Sequence, residues 1–276
     1  MATYRRLKGQ TDAANASTWS PATAPSAWHA TNDSMQMDEG ANSPLATNVD
    51  TAWAGKSLVN VTITSGCKDD IGSAANPLAV TVSGTVRDYG GGNARYFSGT
   101  WVNFEFAPAN PNCVCYLSSW TLTGTLYVLA GTMILRGSVI LAGVDRIVVS
   151  GNAAMEIPEH GSDTIPCPVQ LTGNAVLSVK RLVTGDILVG DRARLRYDVK
   201  STTDTGTITL AGGTMELING SCSVDGQSGV FDWSGLEQAG GYTVDLTEHP
   251  ALTEKTGAIQ PGTFTRTVKG SGSRKV

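Results

Sequence analysis

Between residues 120 and 235 the apolar positions fall into short runs, each broken by a glycine, and the figure recurs. The runs read YVLAGTMIL, IVVSGNAAMEI, VQLTGNAVLSV, DILVGDRARLRY and ITLAGGTMELI. Each is a strand, a glycine turn and a second strand. The turn glycines are Gly131, Gly151, Gly173, Gly190 and Gly212, with Gly235 a sixth candidate. A strand-turn-strand unit recurring at roughly 20 residues is the mark of a solenoid. At ~3.3 Å per residue such a unit has a contour of about 65 Å, enough to wrap once round a filled core, and successive coils stack at about 4.8 Å. The pattern predicts an all-β chain: a short parallel β-helix or β-solenoid of about six coils over 120–235. Its ends need covers, because stacked strands expose unpaired N–H and C=O groups.

One stretch competes with this reading. Leu126 to Val144 is a long apolar run with a single charge, Arg136. By apolar length it is a candidate membrane span. A helix in lipid would put Arg136 near mid-bilayer, at about 2.5 kcal/mol or more. As strands, the same residues turn at their glycines and place Leu129, Leu135 and Leu141 at one recurring inward position. The later repeats favour strands.

The flanks are read from the same signals. Residues 1–50 sustain no apolar period and are rich in Ala, Ser, Thr, Asn and Pro; they are taken as an extended N-terminal arm. Trp19, Trp28 and Trp53 lie in or just after it, and a free tail seldom keeps such large apolar groups. They either dock on a neighbour or fold against their own domain. Residues 51–119 carry short strands that would cap the solenoid. SLVNVTITS alternates, with Leu58, Asn60, Thr62 and Thr64 on one face and Val59, Val61 and Ile63 on the other. PLAVTVSGTVRDY and ARYFSGTWVNFEF follow, separated by a turn at Tyr89–Asn93. Pro108 and Pro111 make the next segment a loop. Residues 236–276 offer strands at YTVDL and TFTRTV and end in a basic tail.

Composition agrees with short strands and tight turns. The 276 residues include Gly 32 times, and charged residues are 16%. A net charge of −4 leaves no global positive field to hold a nucleic acid. Arg5, Arg6 and Lys8 near the start, and Lys269, Arg274 and Lys275 near the end, are local exceptions. The arm reading assigns Tyr4, Arg5, Arg6, Lys8, Trp19, Trp28 and Trp53 to a partner surface. The cysteines number five, and an odd count in a long chain argues against a disulfide framework. Cys113 and Cys115 stand at the spacing that puts two strand side chains on one face, which suits small buried hydrophobes better than a metal. With no apolar run after the basic N-terminus, no signal peptide is expected, and assembly in a cytoplasm fits free thiols.

Candidate chemistry is sparse. The glycines of YGGGNARYF lack the Gly-Lys-Ser/Thr of a phosphate loop. His160 sits in a long excursion between two coils, beside Glu159 and Asp163. Asp186, Asp191 and Asp198, and separately Asp225, Asp232 and Glu237, are close enough in sequence to raise carboxylate-pair glycoside hydrolysis. Most of them lie at glycine turns, where Asp is favoured for its backbone hydrogen bonds. No catalytic residue, metal or cofactor is assigned.

Two resemblances bear on function. Leu129, Leu135, Leu141 and Ile147 recur every six residues, with glycine two positions after the first three. Over these few hexads the chain resembles the hexapeptide repeat of left-handed β-helix acyltransferases, which would make His160 the loop histidine. Over most of its length the chain resembles virion structural proteins of tailed bacteriophages, in the arm ATYRRLKGQTDAANASTWSP, in SGCKDDIGSAANPLAVTVSGTV and in the run of glycine-turn coils. That resemblance implies a non-enzymatic decoration or cement protein. It would sit on the capsid surface, bind the major capsid protein and assemble in the host cytoplasm as a homo-oligomer, a trimer before a dimer, without nucleic acid or membrane. The alternative it implies is a virion spike that binds or cleaves polysaccharide.

Overall fold

A computed structural model describes all residues except 8–9, 30, 39–44, 46–47, 141–143, 161–163, 204–205, 239–240 and 271–276, with the backbone alone for 138–140. The chain is a parallel β-solenoid. It divides into two compact units, Met1–Asp145 and Arg146–Val276.

The first unit contains β1 (Thr3–Arg6), β2 (Trp19–Ser20), β3 (Ser34–Met37), β4 (Ser57–Leu58), β5 (Val61–Ile63), β6 (Leu78–Asp88), β7 (Ala94–Phe106), β8 (Val114–Leu122), β9 (Thr125–Val128) and β10 (Thr132–Ile140). Apart from the antiparallel β1–β2 pair, its ladders are parallel. Register aligns one residue per coil into columns. Tyr4, Met35, Val61, Val86, Phe104 and Leu126 form one. Leu78, Phe97, Leu117 and Leu135 form another. All of these side chains are buried. The strand period of two sends every second residue inward, and parallel stacking sets like on like, so the core consists of continuous apolar columns.

Three sequence expectations change in this unit. The parallel ladder runs through β3, β5, β6 and β7, so residue 120 marks no change of architecture and 51–119 is made of coils rather than a cap. SLVNVTITS is not one strand: β4 ends at Leu58 and β5 begins at Val61, and Leu58, Val61 and Ile63 are all buried because the chain turns between them. The six-residue beat is local. Leu135 is buried, Leu129 is only half-buried, and Leu141 lies outside the described residues. Met133 and Leu135 are the inward pair of β10, at a period of two.

The second unit contains β11 (Arg146–Val149), β12 (Ala154–Ile157), β13 (Val169–Leu171), β14 (Val176–Val179), β15 (Ile187–Gly190), β16 (Arg194–Asp198), β17 (Thr207–Asn219), β18 (Cys222–Asp232), β19 (Thr243–Lys255) and β20 (Thr263–Val268). Its columns are Ile147, Val169, Ile187, Ile208, Val224 and Leu246, and Met155, Leu177, Leu195, Met215 and Phe231. The glycine turns stack into one corner. Asn174 donates its backbone N–H to Gly151 O (2.7 Å), and Arg192 donates to Gly173 O (3.0 Å). A β-carbon on Gly173 would lie 3.0 Å from backbone atoms of Gly151, so a side chain is crowded at that corner. In VGDRA the left-handed residue is Asp191 (φ 52°), not Gly190. Its carboxylate accepts the Gly173 N–H at 2.9 Å. Glycine could not make that bond, and Asp tolerates the backbone it requires.

Candidate functional site

The residues expected to reach a partner are, with one described exception, inside the first unit. Trp19, Trp28 and Trp53 are at most 2% exposed. Tyr4 stacks on Trp28 with centroids 4.1 Å apart and planes 7° apart, and Trp19 meets Trp28 and Trp53 edge-on at 5.0 and 5.7 Å. The indole nitrogens of Trp19 and Trp28 donate to the carbonyls of Ala13 and Thr23, each at 2.9 Å. The ammonium of Lys56 donates to Trp28 O at 2.6 Å. Of the two readings of these tryptophans, folding against their own domain is the one observed. Four large rings bury more area against one another than an extended arm could hide.

Arg6 is buried too. Its guanidinium meets Asp69 at 3.0 Å with both side chains almost fully enclosed, and donates to Gln10 O at 2.7 Å. Arg5 stays at the surface, 3.6 Å from Asp38. Lys8 lies outside the described residues, as do Arg274 and Lys275 of the basic tail.

Beside Arg6 lies a second buried pair that sequence reasoning missed. Arg95 Nε donates to Asp88 at 2.9 Å with neither side chain exposed, and Arg95 Nη1 donates to Asp69 O at 2.6 Å. Burial pushes the Asp88 carboxyl up, against the pull of Arg95. The signal was the triple glycine. A β-carbon at Gly90 or at Gly92 would overlap the Arg95 guanidinium, so this loop cradles an internal cation and not a phosphate. The five cysteines are free and buried. Burial pushes Cys113 up to about 12 and Cys167 up to about 11, and Cys115 well above the usual thiol range. That is the opposite of an activated thiolate.

The acids raised for glycoside hydrolysis are tied between coils. Asp186 accepts the Thr207 N–H at 2.9 Å, and Asp191 that of Gly173. Asp198 accepts from the Asn219 amide at 2.8 Å and faces Lys180 at 3.5 Å. Asp225 lies 3.2 Å from His249 Nε2. Glu237 accepts from the Asn219 amide at 3.2 Å. For Asp232 burial acts upward, but the Ser234 N–H and hydroxyl, together with Lys255, hold the carboxyl below its usual range. His160 is half-buried, and Asp163 beside it in sequence is outside the described residues.

A recess of about 440 Å³ is in the first unit between Thr31, Asp50, Trp53, Lys56, Ser57 and Thr81. A second, of about 340 Å³, lies on the ladder of the second unit, where the short side chain of Ser178 leaves a notch among Glu156, Arg194, Arg196 and Glu216. Among the described residues no cluster of three or more His, Cys, Asp or Glu could hold a metal, and no helix is long and apolar enough to cross a membrane. The stretch around Arg136 forms β9 and β10 instead, with the Arg136 guanidinium 4.0 Å above the Tyr116 ring. No family, curated protein or solved structure compared with the chain matches it.

Proposed function

We propose that this chain is a non-enzymatic structural protein of a tailed-phage virion, a decoration or cement protein that binds the assembled capsid shell. The observation that carries the reading is where the polar chemistry is used. Asp186, Asp191, Asp198, Asp225 and Asp232 each hold a backbone N–H or a side chain of an adjacent coil or turn. Such groups stiffen a scaffold, and a stiff scaffold bound to a shell adds to the shell's stability by mass action. The resemblance in sequence style points the same way. The route of attachment differs from a flexible arm. Trp19, Trp28, Trp53 and Arg6 are core groups, so contact with a major capsid protein falls to Arg5, to the exposed coil faces and to strand edges.

Co-sedimentation with purified capsids tests this. The protein is expected to pellet with shells at a fixed ratio and to raise their disruption temperature. Absence from virions by mass spectrometry, together with no co-sedimentation, would overturn it. Deleting residues 1–55 is not a usable test, because it removes part of the core.

A second reading, saccharide binding, is favoured by the recess beside Trp53. Its volume, about 440 Å³, lies in the size range of small-ligand sites. Asp50, Lys56, Thr31, Ser57 and Thr81 are among the residues that line it. Binding of host polysaccharide that is lost in Asp50→Ala, without new reducing ends, would support it.

A further inference from the structure

The last coil of the second unit departs from the columns that precede it. Leu246 pairs with Arg266, and Phe231 with Glu254, so two inward positions that are apolar through the earlier coils become charged. The Arg266 guanidinium reaches Glu254, and also Glu248 at 3.5 Å. Phe264 is half-buried, 6.3 Å from the Trp233 ring. The ion pair closes the end of the core, but among the described residues the edge of β20 beyond it is unpaired.

The direction of that edge follows from two hydrogen bonds. Thr263 donates its N–H to Tyr242 O at 3.1 Å, and Lys269 donates to Glu248 O at 2.8 Å. In a parallel ladder every second residue points its backbone groups at the same neighbour. Thr263, Thr265, Thr267 and Lys269 therefore face β19. Phe264, Arg266 and Val268 turn their N–H and C=O groups the other way, where no strand among the described residues pairs with them. Among the described residues, one usual device that blunts an edge is present, the inward-pointing Arg266, and the others are missing. Thr263–Val268 contains no proline, its ladder with β19 has no bulge, and two glutamates neutralise its arginine.

We propose that this edge pairs with the same edge of a second copy, antiparallel, about a twofold axis at Thr265. Symmetry, charge and strand overlap choose the register, since centring on Phe264 would set Arg266 opposite Gly262, outside the strand. Backbone groups on the edge belong to even-numbered residues, so these must face one another. Centring on Arg266 would set two guanidiniums directly opposite, which is destabilising. Centring on Thr265 sets Phe264 opposite Arg266 of the other copy and Thr263 opposite Thr267. Arg266 already lies 5.4 Å from the centroid of the Phe264 ring of its own chain. The pairing thus extends a cation–π contact the strand makes internally. Two hydrogen-bonded residue pairs give about four backbone hydrogen bonds. The contact is small, so the dimer is a weak one. It does not depend on the virion reading.

Sedimentation velocity of the full chain from about 10 µM to about 1 mM tests the proposal. The expected result is a concentration-dependent shift that levels at the mass of two chains. Thr265 is exposed and lies opposite Asp245 in the ladder. Thr265→Glu brings carboxylates together on the axis and is expected to weaken the dimer at least tenfold, with an unchanged circular dichroism spectrum. An equimolar mixture of Thr265→Glu and Thr265→Lys is expected to restore pairing. In the wild type, exchange of the Phe264 and Arg266 amides should slow as concentration rises, while that of Thr265 is slow throughout. A chain that stays monomeric over the whole range overturns the proposal. So does a trimer as the limiting species, or a dimer whose affinity Thr265→Glu leaves untouched.

Discussion

Three successive coils of the first unit bend at Gly99 (φ 129°), Ser119 (φ 51°) and Gly137 (φ 74°). At Gly99 a β-carbon would overlap the Val80 carbonyl, so only glycine fits there. Ser119 adopts the same hand of backbone with a side chain attached, a conformation that costs an L-residue about 1 kcal/mol. Ser119→Gly is therefore expected to stabilise the protein by about 0.5–1 kcal/mol, seen as a higher midpoint in urea. The buried Arg95–Asp88 pair answers in the other direction. Arg95→Met leaves Asp88 enclosed without its cation and is expected to cost about 3–5 kcal/mol. At this scale the sequence was legible where chemistry is local. Gly131, Gly151, Gly173 and Gly212 all take positive φ, as turn glycines should. Gly190 does not, because Asp191 can hold the corner by reaching Gly173 in the coil below, an acceptor-donor match between residues far apart in sequence. The Arg95 cradle left a signal in the triple glycine, but nothing in the sequence ties that loop to the distant Asp69 carbonyl it shares.

Elements show a similar divide. Coils with inward residues at a period of two around a glycine, such as β13–β14 and β15–β16, could be read directly from VQLTGNAVLSV and DILVGDRARLRY. The opening segment could not, because β1, β2 and β3 are short and their packing rests on rings brought together from Tyr4 to Trp53. Asp33 anchors this segment: its carboxylate accepts the N–H of Ala2 at 2.9 Å and of His29 at 2.7 Å. Burial acts upward on that carboxyl, but these two bonds hold it below its ordinary value of 3.8. A depressed folded value stabilises above the ordinary one and is lost as pH falls through it. Thermal scans from about pH 5 downward should show the N-terminal segment loosening first, and Asp33→Asn should remove that part of the pH dependence. The cysteines supply a check on burial in both units. All five are free and buried. A thiol reagent at mild alkaline pH should label none of them in the native protein and every one in denaturant.

For the whole molecule the hydrophobic pattern was enough to identify a parallel solenoid, but it placed the first coil too late. Before residue 120 the coils carry Phe97, Trp101, Phe104 and Phe106 in their interior, and large rings disguise the small-residue beat seen later. The partner surface was sought in an arm, because Ala/Ser/Pro-rich sequence resembles a tail until its tryptophans are seen to share one cluster. The aligned columns have one more consequence, for length. Ile147, Val169 and Ile187 occupy equivalent places, as do Met155, Leu177 and Leu195. Splicing Pro168 directly to Ile187 would seat β15 on β11 and β16 on β12, with every inward contact of the same kind as before. Such a shortened chain is expected to fold cooperatively and keep its strand signature in circular dichroism, whereas a cut displaced by half a coil should not fold. The second unit is thus editable in whole coils, so its coil number is a quantity that evolution or design can change by counting.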